Sequence, residues 1–166
     1  MRHRRDQRAG RFWGVGTGPN PTDRGKNGAK HHLLVDRTGI PLAATVSPAN
    51  THDVTMLLAT VVACPMPGYG EDGKRPGELY ADRAYDSDGH EAIVRFLGIE
   101  PRFAQRGEGH GSGLGKVRYV VERTIAAVHQ NRRLKIRYEK REDIHLAFLT
   151  LACVKLCWYR LDPKRR

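Results

Sequence analysis

Two apolar runs, Leu33 to Val35 and Ile40 to Val46, flank Asp36-Arg37-Thr38-Gly39, and this pattern constrains the chain more than any other. Both runs are too short for helices. The Asp and Gly between them supply the backbone chemistry of a tight reversal, so the segment predicts a β-hairpin. Thr51 then reads as the cap of a helix with Asp53 in its first turn and Val54, Met56, Leu57, Leu58 and Val61 behind. Residues 64–77 hold three prolines and four glycines and read as a loop. Leu79 to Ala81 predict a short strand ending at Asp82. A helix capped by Ser87 and closed by Gly98 follows, then a second short strand in IEPRFA. A long helix over about 116–134 and a last one over roughly 142–160 complete the pattern. A hairpin followed by strand, helix, strand and helix predicts an α/β domain with a mixed sheet. Residues 1–30, rich in Arg and Gly, read as an irregular basic arm.

At 166 residues the chain is one domain, long enough to bury a core. Its 29 Lys and Arg against 18 Asp and Glu give a net charge of +11, which favours a polyanionic partner, most commonly nucleic acid. Cys64 stands alone. Cys153 and Cys157 lie four apart on an apolar helical pattern, the spacing of packing thiols; there is no CxxC, and a reducing compartment is the natural setting. The first residues are basic and lack the apolar stretch of a secretory signal. The most apolar segment, 144–158, carries His145 and Lys155 and reads as a buried core helix rather than a membrane span.

Asp82 and Glu122 carry the most chemistry. An Asp leaving the C-terminal end of a strand sits where α/β folds place their reactive groups. The alternative for Asp82 is turn formation, for which Asp86, Ser87 and Asp88 are better placed. Glu122 borders the apolar stripe Val117, Val120, Val121, Ile125 and Val128; it either pairs with Arg118 one turn earlier or points toward Asp82. Two such carboxylates can converge on a divalent metal, and in basic surroundings that suggests phosphodiester chemistry. Such a site calls for a third carboxylate on an earlier strand. The glycines of 107–116 fit neither GxGxxG nor a P-loop and read as a connector. In NRRLKIRYEKRE, Leu134, Ile136 and Tyr138 alternate with basic residues, suggesting a short strand with one cationic face, either solvated or placed against phosphates. His31, His32, His52 and His110 show no metal-ligand spacing and read as incidental.

The stretches TGPNPTDRGKNGAKHHLLVDRTGIPLAATVSPANTHDVTMLL, ELYADRAYDSDG, GSGLGKVRYVVERTIAAVHQNRRLKIRYEKRED and IHLAFLTLACVKLCW together resemble the DDE transposases of bacterial insertion sequences, in particular the insertion sequence five family. The resemblance covers residues 17–161. It implies a ribonuclease H-like fold, a mixed sheet flanked by helices, with a carboxylate triad that binds Mg²⁺ (Mn²⁺ in its place) for phosphoryl transfer on DNA. By position it makes Asp82 the second Asp and Glu122 the Glu, both catalytic and both metal ligands. Arg118 matches the Arg of the Tyr-Arg-Glu-Lys signature, while Gly115 stands in place of Tyr and His129 in place of Lys. DNA contacts are expected from Arg118, Arg123, His129, Arg132, Arg133, Lys135, Arg137 and Lys30.

The family's first Asp falls near Arg4. Asp6 is close but lies in an Arg-rich context, and Asp36 matches a non-catalytic family position. The fold is therefore expected to be N-terminally incomplete: a basic arm over 1–17, a partial catalytic domain over 18–161 and a basic tail over 162–166. The expected function is Mg²⁺-dependent DNA cleavage and strand transfer in cut-and-paste transposition, as the downstream part of a split or truncated protein, with little cleavage by the isolated chain. The rival expectation is a non-catalytic DNA-binding remnant that inhibits an intact transposase. Expected partners are transposon ends and target DNA, with a second copy or an upstream-frame product. No membrane is expected, and the setting is the bacterial cytoplasm, on the nucleoid.

Overall fold

The hairpin forms around its predicted turn. The computed structural model describes residues 14, 16–22, 24–64, 76–104 and 114–162. Strand β1 (Gly18–Pro19) pairs antiparallel with β2 (Asn27–Val35), which pairs antiparallel with β3 (Pro41–Pro48). Leu33 stands opposite Ala44 and Leu34 opposite Ala43, with a slip in register before Val35. The Asp36 carboxylate accepts three hydrogen bonds at 2.8 Å, from the Thr38 N–H, the Thr38 hydroxyl and the Ile40 N–H. Gly39 has φ 90°, a conformation that side-chain-bearing residues rarely adopt. Because β2 starts at Asn27, the irregular arm is shorter than the composition suggests, and Lys30, His31 and His32 lie in a strand.

The expected cap at Thr51 is not made. A 3₁₀ turn, Asp53–Met56, leads into α1 (Leu57–Val62), with His52 at the cap position and no capping side-chain bond. The Thr51 carbonyl instead accepts from the Lys30 ammonium at 2.8 Å, and Asp53 pairs with the same ammonium at 2.9 Å. Downstream, β4 (Glu78–Ala81) runs parallel to β5 (Glu100–Phe103), with α2 (Asp88–Phe96) between them. Ser87 accepts from the His90 N–H at the start of α2, and Gly98 closes it at φ 76°, as the pattern of caps predicts.

The long helix divides. Helix α3 spans Leu114–His129, and a single helical turn, α4 (Arg132–Lys135), follows after a break. At the break the Asn131 side-chain amide donates to the Val128 carbonyl at 2.8 Å, and Asn131 takes an extended backbone. The change of direction lets Leu134 enter the core. The short strand expected across 132–138 is thus a helical turn followed by irregular chain, because burying Leu134 outweighs the local alternation. Helix α5 spans Glu142–Leu161.

Among the described residues the strands form two ladders, β1-β2-β3 and β4-β5, rather than one mixed sheet. Side chains bridge them. One core cluster joins Val46 of β3 to Val128, Leu134, Leu149, Ala152 and Cys153. A second gathers Val61, Leu79, Val94, Ile99 and Phe103, and Leu34 of β2 packs against it. Each such side chain contributes roughly 1.5–3 kcal/mol when fully buried. Helix α3 contacts both β2 and β4, and so spans the two ladders. Buried Thr124 fixes its position: its hydroxyl lies 3.1 Å from the Gly39 carbonyl in the hairpin turn and 3.0 Å from that of Val120. The expectation that α5 is fully buried fails. His145, Leu149, Ala152 and Cys153 are inside, but Leu151, Val154, Trp158 and Leu161 are not.

Candidate active site

Asp82 follows the last residue of β4, and its carbonyl accepts from the Tyr85 N–H at 2.9 Å, so the backbone turns immediately. Its carboxylate is more than half exposed, as is that of Glu122 on α3. Arg118 joins them. Its Nε donates to Glu122 Oε1 at 2.8 Å, and its Nη1 lies 3.7 Å from Asp82 Oδ2. Both readings of Glu122 therefore hold at once: it pairs with Arg118, and it faces the side where Asp82 leaves the sheet. The guanidinium is held still more firmly in its charged form, first by the hydrogen bond to Glu122 and then by the charge of Asp82.

Carboxylate oxygens are hard donors suited to a divalent cation such as Mg²⁺. The pair supplies part of such a donor set, and a guanidinium already neutralises both members. Among the described residues no group of three His, Cys, Asp or Glu is placed to hold a metal ion. Asp36 is not grouped with Asp82 and Glu122, and its Oδ1 is engaged in the turn. Burial works against its charge, but the bonds from Ile40 and Thr38 outweigh that and hold its carboxyl below the usual carboxylate range. Asp6 lies outside the described residues.

The basic residues expected at DNA divide by environment. Lys30 is committed to Thr51 and Asp53. Arg137 is half-buried, donating to the Gly16 carbonyl and to the Glu139 carbonyl at 2.9 Å each. Arg133 pairs with Glu139 at 2.7 Å and lies over the Phe148 ring, and Arg123 donates to the Thr38 carbonyl at 3.0 Å. Arg118, Arg132 and Lys135 are exposed. All three are open to a phosphate backbone, although Arg118 is also held by Glu122 and Asp82.

Of the histidines read as incidental, His31 is not, and His110 lies outside the described residues. His129 Nε2 lies 3.0 Å from His31 Nδ1, and His31 Nε2 lies 2.8 Å from His145 Nε2. His145 is 1% exposed, and its Nδ1 sits 3.5 Å from the buried Glu139 carboxylate, too far for a formed hydrogen bond. That carboxylate favours a proton on His145 Nδ1, which makes His145 Nε2 the acceptor from His31 and His31 Nδ1 the acceptor from His129. The chain of rings ties β2, α3 and α5 together. Burial, then the neighbouring charges of His145, His129, His32 and Arg137, lowers the His31 pKa to about 3. Residues ninety-eight and more positions apart in sequence leave no local spacing signal, which is why the pattern is silent about them.

Arg118 thus lies between a strand-end Asp and a helical Glu. The family described as transposase DDE domain matches residues 2–157, and the chain belongs to it, as a DDE transposase of a bacterial insertion sequence. The family implies a DNA substrate and a divalent metal. The chain is 54% identical over 155 residues to a Burkholderia cepacia protein provisionally named as the transposase for insertion sequence element IS402, covering 91% of this chain and 73% of that one. No solved structure matches it.

Proposed function

We propose that the chain binds DNA and takes part in Mg²⁺-dependent strand cleavage and transfer in cut-and-paste transposition, with Asp82 and Glu122 as two of the metal ligands. The observation that carries this reading is the bridge of Arg118 between two exposed carboxylates from elements forty residues apart. When bound, Mg²⁺ supplies Lewis-acid activation of the attacking oxygen and neutralises charge building at phosphorus. Asp82 and Glu122 would hold it there, while the exposed Arg118, Arg132 and Lys135 hold the DNA backbone. The order hairpin, α1, β4, α2, β5, α3 supports a ribonuclease H-like arrangement.

In this reading the third carboxylate comes from outside the described residues, and the chain works as the downstream part of a split or truncated transposase, with a second copy or an upstream-frame product. The absence of a third acidic partner beside Asp82 and Glu122 among the described residues favours one rival: a DNA-binding remnant that occupies element ends and inhibits an intact transposase. Incubating the chain and its Asp82→Asn and Glu122→Gln variants, each alone and together with the product of the upstream reading frame, with a supercoiled plasmid carrying the element ends, in Mg²⁺, separates the two. Nicking that both substitutions abolish supports the enzyme. Retained binding of the ends with no nicking by any form supports the remnant.

A further inference from the structure

Helix α5 is apolar on two opposite faces, and the fold covers one of them. The covered face is the one that carries His145, Leu149, Ala152 and Cys153. On the opposite face Ile144, Leu151, Val154, Trp158 and Leu161 are 42%, 62%, 58%, 67% and 70% exposed, and Ala147 among them is also exposed. A helix apolar all round belongs inside a structure. Five large side chains in one strip reach the roughly 300–600 Å² of the largest apolar patch a monomer ordinarily leaves in water.

The spacing identifies the occupant. Residues 144, 147, 151, 154, 158 and 161 follow one another at intervals of three, four, three, four and three, the repeat by which one helix packs along another. We propose that α5 pairs antiparallel with α5 of a second copy of this chain along this seam. A two-fold axis between 151 and 154 sets Leu151 against Val154 of the second copy, Ala147 against Trp158 and Ile144 against Leu161. The largest side chain then meets the smallest, which keeps the packing dense where a parallel pair would stack Trp158 on Trp158. Antiparallel pairing also opposes the two helix dipoles. It buries the strip on both copies, approaching the roughly 1,200 Å² at which specific interfaces begin. Lipid fits the face less well, because Lys155 stands exposed beside the middle of the strip.

The proposal rests on the faces of α5 and not on the strand-transfer reading, so it is tested without DNA or metal. Sedimentation equilibrium of the full chain is expected to show a monomer–dimer equilibrium. Leu151→Lys and Val154→Glu are each expected to raise the dimer dissociation constant at least about tenfold while circular dichroism shows the helical content unchanged. Mixing the two variants is expected to restore dimer, since the introduced ammonium and carboxylate meet only in the antiparallel register. A monomer at every concentration, variants that dimerise like the parent, or a mixture that fails to recover would each overturn the proposal. So would a parent chain that is monomeric in buffer but pellets with neutral phosphatidylcholine vesicles.

Discussion

Two polar clusters share one face of α3 and differ in almost everything else. Glu122 and His129 lie seven residues apart, two turns along the same side of the helix. Around Glu122 the partners are Arg118 and Asp82, all more than half exposed. Around His129 they are His31 and His145, the latter sealed in the core beside Glu139. In water an ion pair contributes little to stability, so the first cluster adds little to holding the fold. Away from water the rings depend on one another, and the second cluster joins three elements at the cost of ready protonation. One helix thus carries an exposed cluster of ion pairs and a buried cluster that joins the fold.

That contrast can be broken from either end. The largest effect is expected in the packing beside the histidines: Leu149→Ala, fully buried against Val128 and Leu134, is expected to lose about 2–5 kcal/mol by denaturant unfolding. Next comes acid. The folded His31 pKa lies at about 3 against 6.5 for a free imidazole, so the unfolded chain takes up the proton first. The contribution is intact above pH 6.5 and is lost as pH falls toward 3, on the order of a few kcal/mol in all. His31→Leu is expected to flatten that slope, and a slope unchanged in the variant would place the acid sensitivity elsewhere. Gly39→Ala is a smaller test. The new methyl would sit 2.8 Å from Thr124 Oγ1 at a positive φ, and a loss of about 1–3 kcal/mol is expected. At the other cluster Glu122→Gln is expected to leave the thermal midpoint unchanged. A fall there matching that of Leu149→Ala would erase the distinction.

Much of the frame was legible because local chemistry decides it. Asp36 to Gly39 specify their own turn, Ser87 and Gly98 bracket α2, and the apolar run before Asp82 is a strand. That Glu122 faces toward Asp82 was expected from its place beside the apolar stripe of α3 and from the family resemblance, while the bridging role of Arg118 was not. What escaped depends on distant partners. Asn131 breaks the long helix because Leu134 has a core to enter, and the alternation at 132–138 gives way to it. Thr51 loses its capping role to the 3₁₀ start at Asp53, while its carbonyl takes Lys30 across from β2. The histidine chain joins residues with no local spacing, and the outer face of α5 differs from its inner face only in what lies opposite.

On the proposed reading, Asp82 and Glu122 form one cation-binding pair on the exposed side of α3. Calorimetric titration of Mn²⁺ into the chain and into its Asp82→Ala variant tests it most directly. Measurable, weak binding by the parent chain is expected, lost in the variant while the fold is retained. Binding of equal strength in both would contradict it, as would a parent chain that binds no metal at all.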